Sequence, residues 1–164
     1  LDGLSFSGIP VFGSYTDQAA QKAVASLFIE KFAAVAGPGK ELLLLFEGDP
    51  QFLTPADRSK VDYFVLDTKE TDNATDLKLQ VLRALSAGAV PCNKLLLGAM
   101  TEYEFTDEDK GAADAISALT IRIPEIGPQP LAGLCIYSVN ADYFGAEFIY
   151  PLTRQAIQTL NPSK

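Results

Sequence analysis

Apolar positions along the chain alternate between tight runs and spaced stripes, and the alternation predicts strands and helices in turn. Leu1 to Phe6 is a short apolar stretch closed by Ser7, Gly8 and Pro10, a strand running into a loop. Thr16 or Asp17 can cap a following helix, in which Val24, Leu27, Phe28, Phe32 and Val35 recur at spacings of three and four until Gly37, Pro38 and Gly39 stop it. Glu41 to Phe46 carries four leucines in succession, the run expected of a strand covered on both faces, and Glu47, Gly48, Asp49 and Pro50 end it. Thr54 before Pro55 predicts a cap and first turn for a short helix over 56–60, ahead of a strand from Tyr63 to Asp67. A helix is expected from about Ala74 to Ala87, with Leu77, Val81, Ala84 and Leu85 on one face and Gly88 and Pro91 beyond it. Lys94 to Met100 reads as the fourth strand, Asp107 to Leu119 as an acid-started helix, Leu131 to Ser138 as the fifth strand and Pro151 to Leu160 as a closing helix.

Strands alternating with helices imply a parallel sheet with right-handed crossovers, an α/β architecture. Two layouts compete: an open doubly wound sheet, or part of a (β/α)8 TIM-like barrel, which takes about 250 residues. Five units in 164 residues are too few to close such a barrel.

Charge and absences narrow the chemistry. Thirteen Lys and Arg against 21 Asp and Glu give a net charge of −8, so no basic field exists to displace counterions from a phosphate backbone, and no nucleic acid partner is expected. No apolar run approaches the roughly 18 to 20 residues of a membrane-spanning helix. Without a single His, Ser-His-Asp and Cys-His catalysis and every His-containing metal site are excluded. Cys92 and Cys135 are too few for a disulfide scaffold or a four-Cys zinc site and are read as small core residues, a single bridge being the other possibility. Gly8, Gly13 and Ser14 approach P-loop spacing, but Ser14 stands where the loop needs Lys and Pro10 removes an amide donor. No G-x-G-x-x-G follows a strand, so no cofactor is expected.

Ligand sites of parallel α/β folds lie at the C-terminal ends of the strands. The polar residues delivered there are Ser5 and Ser7, Glu47 and Asp49, Asp67 and Thr68, Glu102 and Tyr103, and Tyr137, Ser138, Asn140 and Asp142. Carboxylates and amides pair with vicinal hydroxyls, and Tyr offers a flat apolar face with a polar tip, a set suited to a sugar ring. Each of these residues, taken singly, can equally be a loop start or turn former.

Leu1-Asp2-Gly3-Leu4-Ser5-Phe6-Ser7-Gly8-Ile9 resembles the fourth barrel strand of glycoside hydrolase family 18, the chitinases and endo-β-N-acetylglucosaminidases, whose signature is D-G-x-D-x-D-x-E. The segment from Ala132 to Tyr143 looks like the eighth strand of the endoglycosidase-like branch of that family. Five strands from the fourth to the eighth then make residues 1–164 the C-terminal part of a single barrel domain, with an upstream portion expected and Leu1 opening a mature or trimmed product.

In that family the final Glu protonates the glycosidic oxygen and the Asp two residues earlier orients the substrate acetamide. The resemblance puts Ile9 and Ser7 at those positions, and Ser5 where the preceding Asp stands, so the catalytic motif is degenerate. It implies a catalytically inactive, carbohydrate-binding pseudoenzyme for N-acetylglucosamine-containing glycans, secreted, periplasmic or lipoprotein-anchored at a bacterial surface. Glu47, Asp67, Tyr137 and Asn140 are the expected substrate contacts, Tyr137 standing where the family keeps an aromatic floor beneath the sugar. The alternatives are an active hydrolase using Glu47, Asp67 or Glu102 as a displaced acid, and a scaffold or interaction domain with no carbohydrate role.

Overall fold

The structure, a computed structural model, describes residues 3–7, 18–66, 74–86, 90–100 and 131–137, with helical positions at 154, 157 and 158. Five strands form one all-parallel sheet: β1 (Gly3–Ser7), β2 (Leu43–Glu47), β3 (Tyr63–Leu66), β4 (Leu95–Met100) and β5 (Gly133–Tyr137). Their order across the sheet is their order along the chain. Helix α1 (Gln18–Phe32) joins β1 to β2, a 3-10 turn at Pro50–Phe52 and the short α2 (Pro55–Ser59) join β2 to β3, and α3 (Ala74–Ser86) with a 3-10 turn at Cys92–Lys94 leads to β4. The predicted helix over 107–119 lies outside the described residues, and the closing helix is described only at Arg154, Ile157 and Gln158.

The register staggers the strands. Ser7 pairs with Glu47, Glu47 with Val65, Val65 with Leu96 and Leu96 with Gly133. That row is the last residue of β1 and the first of β5. Gly3 sets how closely β1 approaches β2: a Cβ there would stand 2.8 Å from the Leu43 carbonyl oxygen.

Because side chains alternate across a strand, the rows divide between two faces. Leu4, Leu44, Phe46, Phe64, Leu66, Leu95, Leu97 and Leu134 share one face and one cluster with Ala25 and Ile29 of α1 and Leu77, Val81 and Ala84 of α3. Phe46 and Phe64 are register partners whose rings meet edge to face at 6.3 Å, worth about 0.5–1.5 kcal/mol beyond the area they bury. The opposite face carries Ser5, Leu43, Leu45, Glu47, Tyr63, Val65 and Leu96. The leucine run is therefore not covered equally on both faces, as its sequence suggested: Leu44 and Phe46 are wholly buried under the helices, while Leu43, one residue out of phase, is 40% exposed.

Helix α3 buries Leu77, Val81 and Ala84, the predicted stripe. Helix α1 departs from prediction. Its fully buried positions are Ala25 and Ile29, with Phe32 partly packed, whereas Leu27 and, beyond the helix's end, Val35 are more than half exposed. The predicted stripe followed side-chain size; the helix instead turns the small Ala25 toward the sheet, where a methyl permits close approach. Cys92 and Cys135 are free thiols, both half-buried.

Phe46→Ala or Phe64→Ala is expected to cost about 3–5 kcal/mol, a fall in melting temperature of roughly 6–20 °C at this size. Leu27→Ala should stay within about 0.5 kcal/mol. Thermal unfolding followed by circular dichroism distinguishes the two.

Candidate functional site

The C-terminal ends of β1 and β2 bring two of the expected polar positions side by side. Ser7 and Glu47 are register partners, on strands about 4.8 Å apart. Glu47 is half-buried on the face opposite the helices, and Ser5, exposed, occupies that face two residues earlier on β1. Tyr137 pairs with Met100 at the ends of β5 and β4. Its backbone lies three strands from Glu47 and four residues past the row they share through Gly133, roughly 14 Å across the sheet and 13 Å along it. Asp67, Asn140, Ile9 and Glu102 lie outside the described residues, as do Gly8, Gly13 and Ser14.

Beyond Glu47 the chain turns at Gly48, whose φ of 137° is a backbone state that L side chains rarely adopt. The Gly48 amide donates to the Val65 carbonyl at 3.0 Å and carries the β2–β3 ladder one residue further. Asp49 then caps the 3-10 turn, its Oδ1 accepting from the Gln51 amide at 2.9 Å and its Oδ2 from Gln51 Nε2 at 3.3 Å. This second acid of the β2 mouth is thus tied to its own turn.

Among the described residues, two clefts open on the helix side of the sheet. One, of about 390 Å³, lies between the β2 mouth and α3 and is lined by Gly48, Asp49, Leu66, Gln80, Arg83 and Ala84. The other, of about 260 Å³, has Pro55, Phe64, Val90 and Pro91 in its walls beside Arg58 and Lys94. Both cations of the smaller cleft already cap backbone: Arg58 Nη1 donates to the Pro50 and Leu53 carbonyls, and Lys94 Nζ to the Val61 carbonyl at 2.8 Å. Among the described residues no group of three or more Cys, Asp or Glu is placed to hold a metal, and no helix is long and apolar enough to cross a membrane.

Asp57, a buried carboxylate not among the predicted site residues, belongs to the scaffold. Thr54 caps α2 by accepting from the Asp57 amide at 3.1 Å, and its hydroxyl donates back to Asp57 Oδ2 at 2.6 Å. Ser26 of α1 donates to the same oxygen at 2.5 Å, and Lys60 Nζ lies 3.5 Å from Oδ1. Burial alone would raise the pKa of this carboxyl; the Ser26 and Thr54 hydrogen bonds and the Lys60 charge outweigh it and hold the group below its ordinary value. The T-x-x-D spacing signals the cap in sequence. Nothing in the sequence signals Ser26, thirty-one residues earlier.

No protein-family model matches the chain, and no curated protein matches it. Among solved structures, "BT1044SeMet E190Q" is similar over 99% of this chain, with a TM-score of 0.68 and 16% identity. The chain spans 54% of that structure's length. At this identity the likeness establishes a shared α/β fold.

A carboxyl held below its unfolded-state pKa stabilises the fold above that pKa, and the stabilisation is lost as pH falls through the folded value. Stability should therefore decline on acidification below about pH 4, and Asp57→Asn should flatten that part of the profile. At neutral pH Asp57→Ala is expected to cost about 1–3 kcal/mol, since it removes the acceptor of the half-buried Ser26 hydroxyl. Urea unfolding from pH 2.5 to 7 measures both effects.

Proposed function

We propose that this chain is the C-terminal part of a family 18-like (β/α)8 barrel that binds an N-acetylglucosamine-containing glycan at the strand ends without hydrolysing it. Glu47, Asp67, Tyr137 and Asn140 are the contacts in this proposal, and secretion or display at a bacterial surface belongs to it. Three features support the barrel. The strands follow chain order with no reversal, whereas a doubly wound sheet reverses at its switch point. The described helix residues that are fully buried join the sheet in one cluster, while on the other face Leu43 stays exposed and Val65 is buried outside that cluster. The register slips by four residues over the four steps from β1 to β5, about one residue per strand, as a shear of 8 over eight strands requires. On strands tilted by about 36°, such a slip returns successive strand ends to one level, so Ser7 and Tyr137 would share one mouth.

The observation that carries the binding function is the pairing of Ser7 with Glu47. At two of the family's acid positions stand hydroxyls, Ser5 and Ser7, and an acid on the adjacent strand adjoins them. A hydroxyl cannot steady a developing oxazolinium cation, and removing a general acid typically costs about 100-fold to 10,000-fold in rate. The place of Glu47 favours one second reading, an active hydrolase in which Glu47 donates the proton. A donor on β2 would approach the glycosidic oxygen along a different line from the signature Glu, which weighs toward binding alone.

Chitin oligomers and a high-mannose glycoprotein, presented to the full chain, are expected to bind without release of reducing sugar. Tyr137→Ala should weaken binding roughly threefold to tenfold. Turnover abolished by Glu47→Gln would establish the hydrolase instead. Neither binding nor turnover would exclude both and leave a scaffold.

A further inference from the structure

The cleft between the β2 mouth and α3 lies on the helix side of the sheet, apart from Ser5 and Glu47, and the proposed glycan contacts do not include it. One wall presents Arg83, exposed on α3, which among the described residues makes neither an ion pair nor a hydrogen bond. Another presents Asp49, fixed by its two hydrogen bonds to Gln51. Arg83 and Asp49 line the same cavity without pairing, although a guanidinium and a carboxylate that met there would satisfy one another. Gln80, one helical turn before Arg83, adds an amide, and the buried Leu66 and Ala84 supply an apolar floor.

We propose that this cleft binds a small monocarboxylate bearing vicinal hydroxyls, the chemistry of a uronic acid. The planar fork of Arg83 suits a carboxylate, to which it can donate two parallel hydrogen bonds. Asp49 offers a carboxylate acceptor to an adjacent hydroxyl, and the floor of Leu66 and Ala84 meets the C–H face of the ring. Charge selects a monoanion. One guanidinium neutralises one carboxylate, and Asp49 opposes the second charge of a phosphate. The volume of about 390 Å³ sits at the lower end of small-molecule sites, about 300–1,000 Å³, and suits a single ring. The proposal does not rest on the glycan contacts of the opposite face.

Titration of the full chain with glucuronate, followed by calorimetry and by saturation-transfer NMR, tests it. Saturable binding of glucuronate is expected, with none of glucose, and Arg83→Gln should weaken it about tenfold or more. The melting temperature should be unchanged, because Arg83 is exposed and makes no ion pair or hydrogen bond among the described residues. Asp49→Asn, which keeps the turn cap and removes the charge set against a second anionic one, should relax the discrimination against inorganic phosphate and so tests the opposite wall. Tighter binding of a glucuronate-terminated disaccharide than of glucuronate would assign the site to a glycan end, and the reverse order to the free acid. No saturable binding, equal binding of glucose, or binding untouched by Arg83→Gln would overturn the proposal.

Discussion

The register of the parallel ladder is the constraint on which the rest of the molecule depends. It seats Leu44, Phe46, Phe64, Leu95 and Leu97 beneath α1 and α3 and leaves Ser5 and Glu47 on the other side. A slip of one residue in β2 would reverse this, driving the Glu47 carboxylate among the helices and turning Phe46 outward. Burying an unpaired carboxylate in an apolar layer is among the costliest changes a fold can suffer. The same rows that build the core therefore fix which side of the sheet can carry chemistry. Gly3 reinforces the register at the first step, since only a residue without a Cβ lets β1 lie so close to the Leu43 carbonyl.

The crossover from β2 to β3 is where this scaffold differs most from its neighbours. Helix α2 has five residues, against fifteen in α1 and thirteen in α3. Its residues Pro55, Arg58 and Ser59 line the smaller cleft, beside Phe64 and Lys94. A five-residue helix also has little stability of its own. The Thr54 cap, the Asp57 carboxylate and its bond to Ser26 hold it against α1. A buried charge in the scaffold thus fixes the shortest helix of the crossovers in place.

Much of the secondary structure was legible because its signals are local. Thr54 and Pro55 predicted the start of α2, and the stripe of Leu77, Val81 and Ala84 gave both α3 and its buried face. The face of α1 is not legible from side-chain size, because Ala25 sits against the sheet and Leu27 does not. Sequential strand order is what consecutive barrel strands imply, but the stagger was beyond reach: it depends on which residues of separate strands pair, and no periodicity within one strand records that. For the candidate site, the rule that function gathers at strand ends brought out Ser7 and Glu47, which the register makes neighbours. It gave no hint of Arg83, whose relation to Asp49 arises only when α3 packs beside a loop thirty-four residues earlier in the chain.

Sequential strand order has a kinetic meaning as well. Each strand docks beside the one that precedes it in the chain, so every sheet contact closes a loop of modest length, and the entropy of each closure grows only slowly with that length. Such a topology can zip up from any β-α-β pair and spread to its neighbours, as stacked repeats do. A chain of this kind keeps its contact order low for a parallel-sheet protein, which favours faster assembly and shortens the exposure of leucine-rich edges to other molecules.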